Sequence, residues 1–105
     1  VNTSGEDAKY GISPEEVGGF LNEISRLQNL NIQGLMTITT LSDDPEKVRP
    51  YLKKLKGIFD NVTRQPSYPN IEMRYLSMGM SQDFEVAIEE GANMVRIGTA
   101  IFGRR

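Results

Sequence analysis

The chain has no cysteine and no histidine. Without cysteine there is no disulfide framework, no thiolate nucleophile and no cysteine-ligated zinc site. Without histidine the commonest general base and metal ligand is missing. Long apolar runs are missing too: none approaches the roughly 20 residues that a membrane-spanning helix needs. The N-terminus carries no signal-peptide pattern, so a cytoplasmic location is expected. Strong charge of one sign is also absent. The formal net charge is -2, with a pI near 5.1. That balance argues against a general binder of nucleic acid or of anionic membranes.

What remains is an ordinary globular composition, 38 % apolar and 25 % charged over 105 residues. That length implies one small domain or a piece of a larger one. The opening VNTSGEDAKYG has no initiator methionine and reads as the tail of a strand running into a loop. A fragment or trimmed chain is expected.

Ser13-Pro14-Glu15-Glu16 is a helix start, with Ser13 as cap, Pro14 at the first helical position and Glu16 completing a capping box. Val17, Phe20, Leu21, Ile24 and Leu27 follow on one helical face. Gly18-Gly19 weaken this helix by roughly 1 kcal/mol each relative to alanine. Residues 34–39 read as a strand, rich in β-branched and apolar side chains. A second helix is expected from Pro45, with Val48, Tyr51, Leu52, Leu55, Ile58, Phe59 and Val62 in period. Pro50 predicts a kink or a late start there. Residues 65–70 read as a proline-containing turn and 73–78 as a strand. A shorter third helix presents Phe84, Ala87 and Ile88, with Gly91 as its C-cap. The last strand is expected at 94–97. Alternation of this kind builds a parallel α/β sheet, either open and doubly wound or part of an eight-stranded β/α barrel.

In such folds function gathers at the C-terminal ends of the strands. Those ends contain residues 2–5, 37–40, 77–81 and the pair Gly98-Thr99, three of them rich in Gly, Ser and Thr. This is the composition of an anion cradle, because glycine lets amides approach and hydroxyls donate. The alternative for Ser81 is a plain helix cap, and turns use Gly and Ser for their own reasons. Arg96 interrupts the apolar strand MVRI. Alternation puts Met94 and Arg96 on one face and Val95 and Ile97 on the other. A guanidinium so placed needs partners, either an interior carboxylate or a ligand. Lys9 lies in a loop and reads as solvated rather than imine-forming. Lys53, Lys54 and Lys56 read as the wet face of the second helix. Glu6-Asp7, Asp43-Asp44 and Glu89-Glu90 read as surface charge. The five methionines read as core filler.

The stretch LSMGMSQDFEVAIEEGANMVRIGTAIFG, residues 76–103, resembles the C-terminal signature of the pyridoxal-phosphate homeostasis family, often called YggS-like. VNTSGEDAKYGI and IQGLMTI match the same family in order, so the resemblance spans essentially the whole chain. The fold that it implies is a (β/α)8 TIM-type barrel related to that of alanine racemase. Residues 1–105 would be a partial barrel domain, its C-terminal half, from the end of strand five through strand eight. The implied cofactor is pyridoxal 5′-phosphate (PLP). By the resemblance, Ser81, Gly98 and Thr99 bind its phosphate and Arg96 faces the pyridine nitrogen. The lysine that holds the cofactor covalently in the family belongs to the first strand, and Lys9 does not inherit that role. The expected function is therefore PLP holding without robust turnover. The alternatives are a racemase-like enzyme in a longer parent, or a ligand-free half-barrel that self-associates through its exposed edges.

Overall fold

The computed structural model of the chain describes residues 1–6, 10–65 and 68–104. Three parallel strands, β1 (Ile32–Met36), β2 (Ile71–Met80) and β3 (Met94–Arg96), lie side by side in the order β1-β2-β3. Between them run α1 (Val17–Ile24) before β1, α2 (Arg49–Arg64) between β1 and β2, and α3 (Phe84–Glu89) between β2 and β3. A last short helix, α4 (Thr99–Phe102), leaves the mouth of β3. The parallel strands and intervening helices are the α/β alternation expected from sequence.

The ends of the elements differ from expectation for identifiable reasons. β1 begins at Ile32 and stops at Met36, so Thr37 and Thr39 lie beyond the strand. β2 runs further than expected in both directions, to Ile71 and to Met80. Before α2 comes a 3-10 turn, Pro45–Lys47, and the α-helix proper starts at Arg49. Pro50 therefore sits in the first turn, where its missing N–H has no helical acceptor to serve. The late start removes the conflict and no kink is needed. At α1, Glu16 does reach back: its Oε1 accepts from the Ser13 amide at 3.3 Å and the Ser13 hydroxyl at 2.7 Å. The C-cap of α3 is Glu90 rather than Gly91; Gly91 follows it with φ 109°, the positive-φ position that closes the helix.

The core lies between the helices and one face of the sheet. Val48, the N-cap of α2, together with Leu52 and Leu55 of α2, packs against Leu76 and Met78 of β2 and Val86 and Ala87 of α3. A second cluster joins Val17 and Leu21 of α1 to Ile71. Some expected core residues fall outside it. Phe20 and Leu27 are exposed, because α1 ends at Ile24 and its inward stripe narrows to Val17 and Leu21. Ile88 is exposed as well, since the six-residue α3 turns Val86 and Ala87 inward.

The other face of the sheet is open. Leu35 and Leu76 are register partners and both pack toward α2. Their successors Met36 and Ser77 are also partners, and Ser77 pairs with Met94 of β3. Strand alternation sends this second row to the opposite face. Met36, Tyr75 and Met94 are accordingly 46 %, 41 % and 43 % exposed. The reading of all five methionines as core filler is corrected here: Met78 is buried and Met73 half-buried, whereas Met36, Met80 and Met94 are exposed.

The N-terminal residues lie beside the end of β1, although no strand is formed there. The Val1 amino group donates to Met36 O at 2.7 Å. The Thr37 hydroxyl donates to Val1 O at 2.8 Å and lies 3.1 Å from the Thr3 hydroxyl. A fourth segment thus extends the row at its β1 edge.

Candidate functional site

The strand mouths converge on one end of the molecule. Gly79 prepares this end: its φ is 103°, and a Cβ there would stand 2.7 Å from Ala87 Cβ and 3.1 Å from Phe84 Cα. Only glycine lets β2 pass this closely under α3. The chain then turns over residues 80–83, where the Asp83 amide donates to Met80 O at 3.1 Å. Asp83 Oδ1 accepts from the Met80 amide at 2.7 Å. Its Oδ2 accepts from the buried Thr39 hydroxyl at 2.9 Å.

Ser81 is the second residue of that turn. Its Oγ accepts from the Gly98 amide at 3.2 Å and from the Ala100 amide at 3.1 Å. A serine hydroxyl has two acceptor lone pairs and one hydrogen. With both lone pairs engaged, the hydrogen is left to donate outward. The exits of β2 and β3 are therefore joined by one side chain whose remaining capacity suits an acceptor such as an anion oxygen. Thr99 is exposed on the same β3 exit.

Arg96 is the register partner of Met80. It shares a face with Met94, the open one. Its guanidinium crosses β2 toward β1, where Nη2 donates to Thr37 O at 2.8 Å. Arg96 Nε is buried without a partner among the described residues. Ion pairs among the described residues are made by Arg49, Lys56 and Arg74, and none by Arg96. The interior carboxylate that sequence offered as the alternative partner is not found among the described residues. An unpaired buried donor on a charged group is unfavourable by roughly 1–3 kcal/mol or more. The arginine is thus an incompletely satisfied cation at the strand exits, level in register with Met80, the residue before Ser81.

Other charged residues have local roles. Glu89 and Glu90, read as plain surface charge, hold Arg49 at 2.9 and 2.6 Å, together with Glu46 at 2.7 Å. The hydrogen bond from Arg49 keeps the Glu46 carboxyl below the usual range. The hydrogen bonds from Glu46, Glu90 and Glu89 raise the Arg49 guanidinium above its own. Lys56 pairs with Asp60 at 2.8 Å, and Lys53 and Lys54 are exposed. The Glu6 carboxylate accepts from the Thr40 hydroxyl. Asp7 and Lys9 lie outside the described residues, as do positions 66 and 67 of the expected turn. Among the described residues no group of three acidic side chains clusters as a metal site. No helix among the described residues is long and apolar enough to cross a membrane.

Sequence reasoning singled out Ser81, Arg96, Gly98 and Thr99, and the fold brings the exits that carry them together. It missed Asp83. The available signal was an acidic residue two positions after Ser81, but the sequence offered Ser81 as the cap of that helix and left Asp83 without a role.

The comparisons with known proteins follow this geometry. Residues 1–105 match the family described as alanine racemase, N-terminal domain. The chain is 48 % identical over 105 residues to a pyridoxal phosphate homeostasis protein of Aquifex aeolicus, covering all of this chain and 45 % of that protein. It is 37 % identical over 107 residues to the human protein of the same name, covering 38 % of it. The chain thus spans less than half the length of these relatives. A crystal structure of an unknown protein from Bifidobacterium adolescentis superposes with a TM-score of 0.84 at 38 % identity, over 97 % of this chain and 40 % of that one. PipY of Synechococcus elongatus, solved with PLP bound, gives a TM-score of 0.80 at 29 % identity over 98 % of this chain and 47 % of that one. The chain belongs to the alanine racemase N-terminal domain family and is similar over its whole length to that family's pyridoxal phosphate homeostasis proteins.

Proposed function

We propose that this chain is the phosphate-holding part of a PLP-binding homeostasis protein. In this reading it is the C-terminal half of a (β/α)8 barrel, with residues 1–3 as the tail of strand five and β1 to β3 as strands six to eight. The support is positional: barrels commonly hold phosphate at the loops after strands seven and eight. Here the exits of the last two strands are the ones joined through Ser81.

The Ser81 hydroxyl donates to a phosphate oxygen, and the Gly98-Thr99 turn lies against the same group. The Gly98 amide is already held by Ser81 Oγ, so its part is to fix that oxygen; Thr99 is exposed, and in this reading its hydroxyl is a further donor. Arg96 faces the ring nitrogen. The residues fit the cofactor: a donor hydroxyl for its dianion, and on β3, in register with Met80, a cation with a donor left unpaired among the described residues. When bound, PLP supplies an electron-withdrawing pyridine ring. A neighbouring guanidinium disfavours protonation of the ring nitrogen and makes the ring a poorer electron sink. This suits a protein that holds the cofactor more than one that turns over substrate. A racemase-like activity draws no support from the phenols near the site: Tyr10 is 98 % exposed, and Tyr75 lies on the open sheet face.

The observation that carries this reading is the double acceptance by Ser81 Oγ, one residue after Met80, the register partner of Arg96. Titration of the chain with PLP, followed by absorbance, tests it. Arg96→Ala and Thr99→Ala should each weaken binding about tenfold or more, as loss of a hydrogen bond to a charged group implies. Unchanged affinity in both variants would remove the reading. Borohydride reduction followed by mass measurement should give no covalent adduct. An adduct at one lysine would contradict an anchor outside this chain.

A further inference from the structure

We propose that Asp83 is the positioning residue of the phosphate cradle, setting where Ser81 stands and tying it to the mouth of β1. The inference rests on the functional reading above. An aspartate at the start of a helix ordinarily accepts from the first helical amides. Asp83 stands at that place before α3 and makes no such bond. Its carboxylate turns backward instead. Oδ1 takes the Met80 amide at 2.7 Å and Oδ2 takes the Thr39 hydroxyl at 2.9 Å.

Two consequences follow. The turn over residues 80–83 is closed twice, once by the Asp83 amide on Met80 O and once by the carboxylate on Met80 N. Ser81 is held inside that double closure, aimed at Gly98 and Ala100. The bond to Thr39, a residue only 8 % exposed, fixes the β1 exit to the same turn. Thr37, two residues earlier, is the residue whose carbonyl holds Arg96. One carboxylate thus links the hydroxyl donor to the strand end that carries the guanidinium. Asp83 does not itself touch the phosphate in this arrangement; a carboxylate facing a dianion would repel it.

The test uses the whole chain and its amide hydrogen exchange, measured by NMR at Gly98, Ala100 and, as a global control, Leu55. Asp83→Ala should speed exchange at Gly98 and Ala100 about tenfold or more while Leu55 is unchanged. Asp83→Asn should restore protection, because its oxygen accepts from Met80 and its NH2 donates to the rotated Thr39 hydroxyl. Unaltered exchange at Gly98 and Ala100 overturns the proposal, as does an equal rise at Leu55. If Asp83→Ala does not fold, Thr39→Val removes one of the two bonds and should speed the same two amides, or the proposal fails. A second measurement compares PLP with pyridoxal, which lacks the phosphate. The preference for PLP should fall in Asp83→Ala and survive in Asp83→Asn. A wild-type preference that Asp83→Ala leaves intact sinks this inference alone. A wild type with no preference sinks the functional reading and this inference with it.

Discussion

Gly79 and Ser81 show how single residues build the site. Gly79 combines a positive φ with a close pass under α3, so Gly79→Ala meets both backbone strain and a clash. We expect destabilisation of roughly 1–3 kcal/mol, read from urea unfolding; a variant as stable as wild type would contradict the packing described. Ser81→Ala removes the outward donor without altering the core. It should weaken PLP about tenfold and leave pyridoxal unchanged, by fluorescence titration; equal losses for both ligands would place Ser81 away from the phosphate. Arg96 was legible in sequence because alternation alone sets a charge apart from apolar neighbours. Its anchor, the Thr37 carbonyl, was not legible, since a backbone acceptor on a non-adjacent strand leaves no mark in residue type. Asp83 was hidden for the same reason: a bond to Thr39, 44 residues away, leaves no mark in the local pattern.

At the level of elements, α2 was read best. Its apolar stripe is long, and Val48, Leu52 and Leu55 are buried as that stripe requires. α3 was read less well, because six residues hold less than two turns and leave the inward face undetermined by periodicity alone. Strand ends were displaced because register, not propensity, decides where pairing stops. The junction of α2 and α3 carries its own prediction. Arg49 bridges Glu46 to Glu89 and Glu90. The Glu46 carboxyl is held below its ordinary value, chiefly by the Arg49 hydrogen bond. Its contribution to stability is therefore present above the unfolded carboxyl range, about pH 4, and fades as pH falls through the lower folded value. Arg49→Met should lower the thermal midpoint at pH 7 and make little difference near pH 3. An equal loss at both pH values would assign Arg49 a packing role instead. Asn93 is a second junction: its side chain accepts from the Leu76 amide at 2.8 Å and donates to Arg74 O at 2.7 Å. It holds the start of β3 against β2, three residues before Arg96.

At the scale of the molecule, one sheet face is covered by helices and the other is open and largely apolar. We expect the isolated chain to self-associate through that face, two copies covering each other's Met36, Tyr75 and Met94. Sedimentation should show mass rising with concentration, reduced by Met36→Lys. A monomer at every concentration would contradict this. The parallel α/β class was readable from alternating periods, and the resemblance reached the family that residues 1–105 match. The open face had no such signature, since its methionines look in sequence like core. The central claim is that the exits of β2 and β3 form one phosphate site beside Arg96. Backbone NMR of the chain titrated with PLP tests it most directly. The account predicts the largest shifts at Ser81, Gly98, Thr99 and Ala100, and their absence with pyridoxal. Shifts of equal size with both ligands, or shifts confined to other residues, would contradict it.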